Sequence, residues 1–126
     1  MTRDDYRADS NNASNPNRNL CALAVCEAFG TATSTRYLHT MGDIVRCIRT
    51  RYTVRSRRSS VRGRTVGAIR GQLARVAADA PGRVVGFVVG VPGHVLVMAS
   101  DGRTLIDTSP KQRDRRRVTH LYVVYR

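Results

Sequence analysis

The chain has 126 residues, which is enough for one domain with a single hydrophobic core. It carries 22 basic and 9 acidic residues, giving a formal net charge of +13, and Lys111 is the only lysine. Hydrophobic residues make up 41% of the chain and aromatic residues only 6%, so the core must be mainly aliphatic. No segment approaches the roughly 20 apolar residues of a membrane span, so we expect no association through a membrane helix.

Residues 1–18 are rich in Asp, Asn, Ser and Arg, and this composition predicts a flexible polar arm. A single domain is expected at residues 19–126. Because the arm lacks the apolar stretch of a signal peptide, we expect a cytoplasmic protein with reduced cysteines. The three cysteines are an odd number and cannot form a complete disulfide framework.

The first predicted helix covers residues 20–29, which are apolar except for Glu27. Asn19 is expected to cap its start, and Gly30 to end it. A helix that is apolar on all sides is buried, so this segment predicts the central helix of the domain.

Two more helices follow in the sequence. Residues 37–49 predict an amphipathic helix, because their apolar residues recur at three- and four-residue spacings. Residues 50–64 carry six arginines among Ser and Thr and predict an exposed basic loop. Thr65 is expected to cap a third helix that ends at Pro81-Gly82.

After these helices the apolar residues no longer follow helical spacing and occur in short runs rich in β-branched residues. These runs predict strands at residues 84–91, 94–99, 103–107 and 120–125. Asp101-Gly102, between two apolar runs, is a strong hairpin signal. The sequence therefore predicts an α+β fold in which N-terminal helices, including the buried one, pack on a C-terminal antiparallel sheet.

Cys21 is the candidate nucleophile, because it lies in the first turn of the helix that Asn19 would cap. Backbone N–H groups in a first turn have no helical partner, and the positive end of the helix favours thiolate. The alternative is a buried, unreactive cysteine, and this interpretation fits Cys26 and Cys47 inside their apolar helices.

His94 and Asp107 are the candidate partners of this thiol. A two-residue turn at Asp101-Gly102 pairs Leu96 with Asp107. This register makes His94 and Asp107 diagonal neighbours, about 7–8 Å apart on one face of the sheet. The carboxylate would orient the imidazole, whose second nitrogen would serve Cys21. The alternative for Asp107 is an Asx-type turn that ends the strand.

Acyl transfer also needs hydrogen-bond donors for an oxyanion. The backbone N–H of Cys21 is one, and an upstream amide side chain would be the other, with Asn15 as the first candidate and Asn19 as the second. His39 and His120 are expected to be ordinary residues. Because the Cys and His residues lack the paired spacing of a zinc site, we expect no metal and no cofactor.

Three segments of the chain resemble small papain-like cysteine peptidases of phages and bacteria. Residues 19–30 are similar to their opening Asn-x-Cys helix, residues 91–97 to their histidine strand, and residues 100–108 to their hairpin and aspartate. The resemblance implies a papain-like fold. It also implies two alternative locations for the protein, the cytoplasm of a host cell or a virion.

The resemblance also implies roles for individual residues. Cys21 would be the nucleophile, His94 the general base and acid, and Asp107 the orienting carboxylate. Papain-like enzymes usually place Gln six residues before the nucleophile, where this chain has Asn15.

Two functions are compatible with these patterns. The first is a cysteine hydrolase, a peptidase or related amidase, that acts on a peptide or amide substrate through an acyl-enzyme on Cys21. The second is a basic protein that binds nucleic acid, because contacts to phosphate need only positive charge, or a structural or accessory phage protein on a papain-like fold whose basic loop binds an acidic protein. The candidate residues for polyanion binding are Arg51, Arg55, Arg57, Arg58, Arg62 and Arg64.

Overall fold

The computed structural model describes residues 20–61, 63–102, 105–106 and 115–126. These residues form the helices α1 (Leu20–Ala28), α2 (Met41–Arg49) and α3 (Val66–Asp79), and 3₁₀ helices at Thr35–Tyr37 and Arg58–Val61. Their strands are β1 (Thr53–Ser56), β2 (Val84–Val91), β3 (His94–Ala99), β4 (Leu105–Ile106) and β5 (His120–Tyr125). The predicted α+β class is confirmed.

The strands of the described residues form one antiparallel sheet in the order β1-β5-β2-β3-β4. Side chains alternate between the faces of this sheet, and each face has its own core. The α1–α2 face packs against α1 and α2 and carries Val54, Val88, Val95, Val97 and Val124. The α3 face packs against α3 and carries Val84, Phe87, Val89, Val91, Leu96, Met98, Leu121 and Val123.

The buried helix predicted from the sequence is α1. Ala22 and Cys26 are fully buried, and Gly30 follows the helix with a φ of +71°, a conformation that suits glycine at a helix end. The second helix begins at Met41 and not at Tyr37 as predicted. Its start is fixed by a capping box, in which Thr40 Oγ1 accepts from the Asp43 N–H and the Asp43 carboxylate accepts from the Thr40 N–H.

The prediction of an exposed loop at residues 50–64 is wrong in part. Residues Thr53–Ser56 form the edge strand β1, which pairs with β5. Only Val54 of this strand is buried, so its sequence lacks the alternation that would reveal a strand. The 3₁₀ helix Arg58–Val61 then places Val61 in the core of the α3 face.

Thr65 caps α3 as predicted, because its hydroxyl accepts a hydrogen bond from the Ala68 N–H. The register predicted for the following hairpin is also the one observed, since Val97 pairs with Ile106 and Met98 with Leu105. The turn itself differs, because the Gly102 N–H donates to the Ala99 carbonyl and Gly102 has a φ of +73°.

Candidate functional site

Cys21 lies in the first turn of α1 and is 6% exposed. It belongs to the core of the α1–α2 face, where it shares a cluster with Val95 and Val97 of β3. Because Cys21 lies in the first turn, as the sequence predicts, its thiol is close to the positive end of the helix dipole, which favours the thiolate. Packing in this apolar cluster leaves Cys21 largely shielded from bulk water.

His94 follows the Pro92-Gly93 turn and is 9% exposed. His94 pairs with Val91, whose side chain belongs to the α3 face. It is also two residues from Leu96 along β3, and residues two apart in a strand project to the same face. The ladder therefore places His94 on the α3 face, whereas Cys21 packs on the α1–α2 face. The described structure does not bring these two predicted partners to one face of the sheet.

The other members of the predicted catalytic set lie outside the described residues. These are Asp107, which would orient His94, and the two amide candidates for the oxyanion site, Asn15 and Asn19. Their roles stay predictions. The described part of the hairpin keeps the register from which the position of Asp107 was predicted.

His120 was expected to be an ordinary residue, but its position makes it a second candidate for the catalytic imidazole. It is 2% exposed and opens β5, where it pairs with Gly90 of β2. A Cβ atom on Gly90 would lie 3.1 Å from His120 Cβ, 3.4 Å from its Nδ1 and 3.4 Å from Met41 Cε. Met41 belongs to the core of the α1–α2 face, so His120 lies on the same face as Cys21.

The His120 ring is held by its neighbours on β5 and in the segment before it. Its Nδ1 lies 3.1 Å from Thr119 Oγ1. The ring stacks on Tyr122 with centroids 6.3 Å apart and an interplanar angle of 15°. Gly90, in a strand of β-branched residues, is the sequence signal that could have revealed this close approach.

The α1–α2 face carries both α1 and the strand residues around His120. Phe29, just after α1, lies 3.0 Å from the Cβ position of Gly86 at one end of the β2–β3 ladder. Cys21 is eight residues earlier, about 12 Å along a helix that packs on β3. Gly90 is four residues from Gly86, about 13 Å along the strand. Cys21 and the row of residues formed by Val95, Gly90 and His120 therefore share the α1–α2 face of the sheet.

The other two cysteines, Cys26 in α1 and Cys47 in α2, both contact the hydroxyl of Thr31. Cys26 is fully buried, and its carbonyl accepts a hydrogen bond from Thr31 Oγ1 at 2.8 Å. Cys47 Sγ lies 3.4 Å from the same hydroxyl. Burial, followed by the neighbouring Cys47 thiol, raises the pKa of Cys26 to about 12. None of the three cysteines, all of which lie in the described part of the chain, forms a disulfide bond.

The predicted basic residues divide into two groups. Arg51 donates to the Gly30 carbonyl at 3.0 Å and lies over the Tyr52 ring, and Arg64 donates to Gln72 and to the Ala68 carbonyl. These two arginines hold the fold together. The exposed arginines of β1 and the segment after it are Arg55, Arg57 and Arg58. Arg62 lies outside the described residues.

Within the described ranges, no group of three or more His, Cys, Asp or Glu side chains is placed to hold a metal ion. None of the described helices combines the length and the apolar character needed to cross a membrane. No protein-family model matches this chain, and neither the curated proteins nor the solved structures contain a match to it.

Proposed function

We propose that this protein is a papain-like cysteine hydrolase, with Cys21 as the nucleophile and a peptide or amide as substrate. The observation that carries the proposal is the position of Cys21 in the first turn of a buried helix, on the sheet face that also bears His120. A thiol at the positive end of a helix and an imidazole on the same face are the two groups that acyl transfer requires.

The proposed reaction has two stages. The Cys21 thiolate attacks the substrate carbonyl carbon to form a C–S bond, and the amine leaves with a proton from the imidazolium. The imidazole then takes a proton from water, which attacks the thioester. The C–S bond breaks, the acid is released, and the Cys21 thiolate and the imidazolium are restored. The net change is hydrolysis of one amide to one acid and one amine.

We propose the imidazole of this reaction from the face of the sheet on which each histidine lies. His120 lies on the face of Cys21, and a bond from its Nδ1–H to Thr119 Oγ1 would leave Nε2 as the proton acceptor. His94, the base expected from the sequence, would have to reach Cys21 around the end of the sheet at the Pro92-Gly93 turn. We therefore propose His120 as the base and retain the pair of His94 with Asp107 as the competing assignment.

The proposed oxyanion donors and the proposed location of the protein are those expected from the sequence. The Cys21 N–H, with Asn15 or Asn19, would bind the oxyanion. The protein would act in the cytoplasm of a host cell or within a virion.

The test is selective alkylation at about pH 6, where an ordinary thiol of pKa near 8.5 is almost unreactive. Native protein is treated with limiting iodoacetamide, and the labelled cysteine is found by peptide mapping. Cys47, which is half-buried in the same molecule, is the internal reference. We expect Cys21 to be labelled at least about tenfold faster than Cys47.

Two matched variants then identify the base. His120→Asn is expected to slow Cys21 labelling strongly, while His94→Asn leaves it near the wild-type rate. The reverse result would assign the base to His94. Labelling of Cys21 no faster than Cys47 in the wild type would overturn the proposed function, provided that thermal melting shows the protein folded.

A further inference from the structure

A basic groove lies at the β1 edge of the sheet, separate from the proposed hydrolase site. It is a cavity of about 570 Å³. Its walls come from the end of α2, from β1, from the 3₁₀ helix after β1 and from the last residues of β5. The residues that line it are Arg49, Val54, Arg55, Ser56, Arg57, Ser59, Ser60 and Tyr125.

The groove concentrates positive charge. Three of its lining residues are arginines and none is acidic. Arg55 in β1 and Arg57, the first residue after its end, are both exposed, and residues two apart in an extended chain project to the same side. Clefts lined by one sign of charge strengthen the local field, so the concave shape of the groove adds to the effect of its arginines.

The polar groups of the groove are partly fixed in place. Ser60 Oγ donates to the Arg57 carbonyl at 2.8 Å and accepts from Gln72 Nε2 at 2.9 Å. These bonds fix the turn of chain that carries Arg57. Ser59 adds a hydroxyl to the same wall, and the half-buried ring of Tyr125 adds an aromatic surface.

The edge of the sheet at this point is not open to a further strand. Arg49 Nη2 donates to the Val54 carbonyl at 3.0 Å, which occupies an outward-facing acceptor of β1. A peptide that added itself to β1 would need that acceptor. The groove therefore favours a ligand that carries negative charge and aromatic rings. It disfavours a peptide that would bind by adding a strand to the sheet.

We propose that the basic groove binds single-stranded nucleic acid. A phosphate would lie between the Arg55 and Arg57 guanidinium groups, which bind phosphate oxygens in a planar fork, and a base would pack against Tyr125. Binding of this kind depends on backbone charge and stacking, so it carries little sequence preference. This site does not depend on the Cys21 chemistry.

The test measures fluorescence anisotropy of a labelled oligo(dT) of about 12 nucleotides, a length within the usual range for one binding surface, at several salt concentrations. The double variant Arg55→Ala/Arg57→Ala removes the two guanidinium groups from the groove. The matched control Arg36→Ala/Arg75→Ala removes the same charge from exposed positions outside it. All four side chains are exposed, so both variants should melt as the wild type does.

We expect the groove variant to weaken binding at least about tenfold at 0.15 M salt, while the control changes it less than about threefold. Because each phosphate contact contributes about 0.7 to the salt slope on a single strand, the slope should fall by about 1.4 in the groove variant. Cys21→Ala should bind as the wild type does.

Three results would overturn the proposal. One is an equal loss in both double variants, which would mean that binding follows overall charge. Another is the absence of wild-type binding at 0.15 M salt. The third is equal or tighter binding of a poly-glutamate peptide that requires Arg55 and Arg57, which would assign the groove to an acidic protein.

Discussion

The imidazole of His120 lies against the bare backbone of Gly90 on the neighbouring strand. A Cβ atom on Gly90 would come within 3.1 Å of His120 Cβ and 3.4 Å of its Nδ1. The absence of a side chain at Gly90 therefore provides the space in which the ring lies. This contact places an imidazole on the face of the sheet where α1 carries Cys21.

Gly90→Ala should displace His120, the proposed base, and so slow alkylation of Cys21 at about pH 6 by about tenfold or more. The crowding should also cost about 1–3 kcal/mol of unfolding free energy. Peptide mapping gives the rate, and urea unfolding gives the stability.

Gly71→Ala is the control for this change, because a Cβ at Gly71 in the middle of α3 would meet nothing within 4 Å. It should stabilise the protein by about 0.5–1 kcal/mol and leave Cys21 labelling unchanged. If Gly90→Ala also left the labelling rate unchanged in a folded protein, His120 would not be the base.

Gly102→Ala should be among the most damaging single changes in the chain. Its φ is +73°, and a Cβ there would lie 2.4 Å from Ala74 N and 2.6 Å from Leu73 C, both backbone atoms of α3. Neither atom can move without shifting the helix, so we expect a loss of at least about 3 kcal/mol or failure to fold.

Gly63→Ala separates backbone strain from this clash. Gly63 has a φ of +76°, but a Cβ there would meet nothing within 4 Å. Its loss should be only about 1–2 kcal/mol in urea unfolding, the usual cost of a left-handed conformation for alanine. Equal losses in the two variants would contradict the close packing of the hairpin turn on α3.

The capping box of α2 should make stability depend on acid pH. Partial burial of Asp43 would raise the pKa of its carboxyl, but backbone hydrogen bonds from His39 at 2.8 Å and Thr40 at 3.0 Å lower it below the ordinary 3.8. The carboxylate therefore stabilises the fold above that pH, and the contribution is lost as pH falls through the lower folded value.

Asp43→Ala should cost about 1 kcal/mol at pH 7, and wild type and variant should converge as the pH falls below about 4. Asp79→Ala, which removes an exposed carboxylate from the last turn of α3, is the matched control. Urea unfolding at several pH values checks both. A constant difference between wild type and Asp43→Ala across that range would show that the charge of Asp43 does not matter.

Cys26 should make the protein less stable in alkali. Burial raises its pKa to about 12 from an ordinary 9.0, so between these pH values the folded state keeps a proton that the unfolded state has lost. The unfolding free energy therefore falls as pH rises through this window.

Cys26→Ala removes this dependence. Its melting temperature should be lower than that of the wild type near pH 7, because a buried sulfur atom is lost, but should fall less steeply above pH 9. Iodoacetamide should not label Cys26 in the folded protein at pH 9. Rapid labelling of Cys26 there would contradict its buried environment.

Local features of the fold could be predicted because they depend on neighbours in the sequence. The apolar run of α1, interrupted only by Glu27, predicts a buried helix, and the Thr65 hydroxyl predicts the start of α3. The turn residues near Asp101 predict the pairing of Val97 with Ile106. In each case the physical cause acts over a few residues.

The assignment of residues to the two faces of the sheet depended on tertiary structure. Alternation along β3 puts His94 and Leu96 on one face, but it does not say which helix covers that face. The packing of α3 against Leu96 settles this, and it separates His94 from the face of Cys21.

Long-range pairing also determined the groove and the second imidazole. Strand β1 forms because β5, more than 60 residues later, supplies its partners, and this pairing turns part of a basic segment into the wall of a groove. The same strand brings His120 beside Gly90. The sequence by itself determined the chemical groups and the local elements, whereas contacts between distant segments decided which groups share a face of the sheet or line the groove.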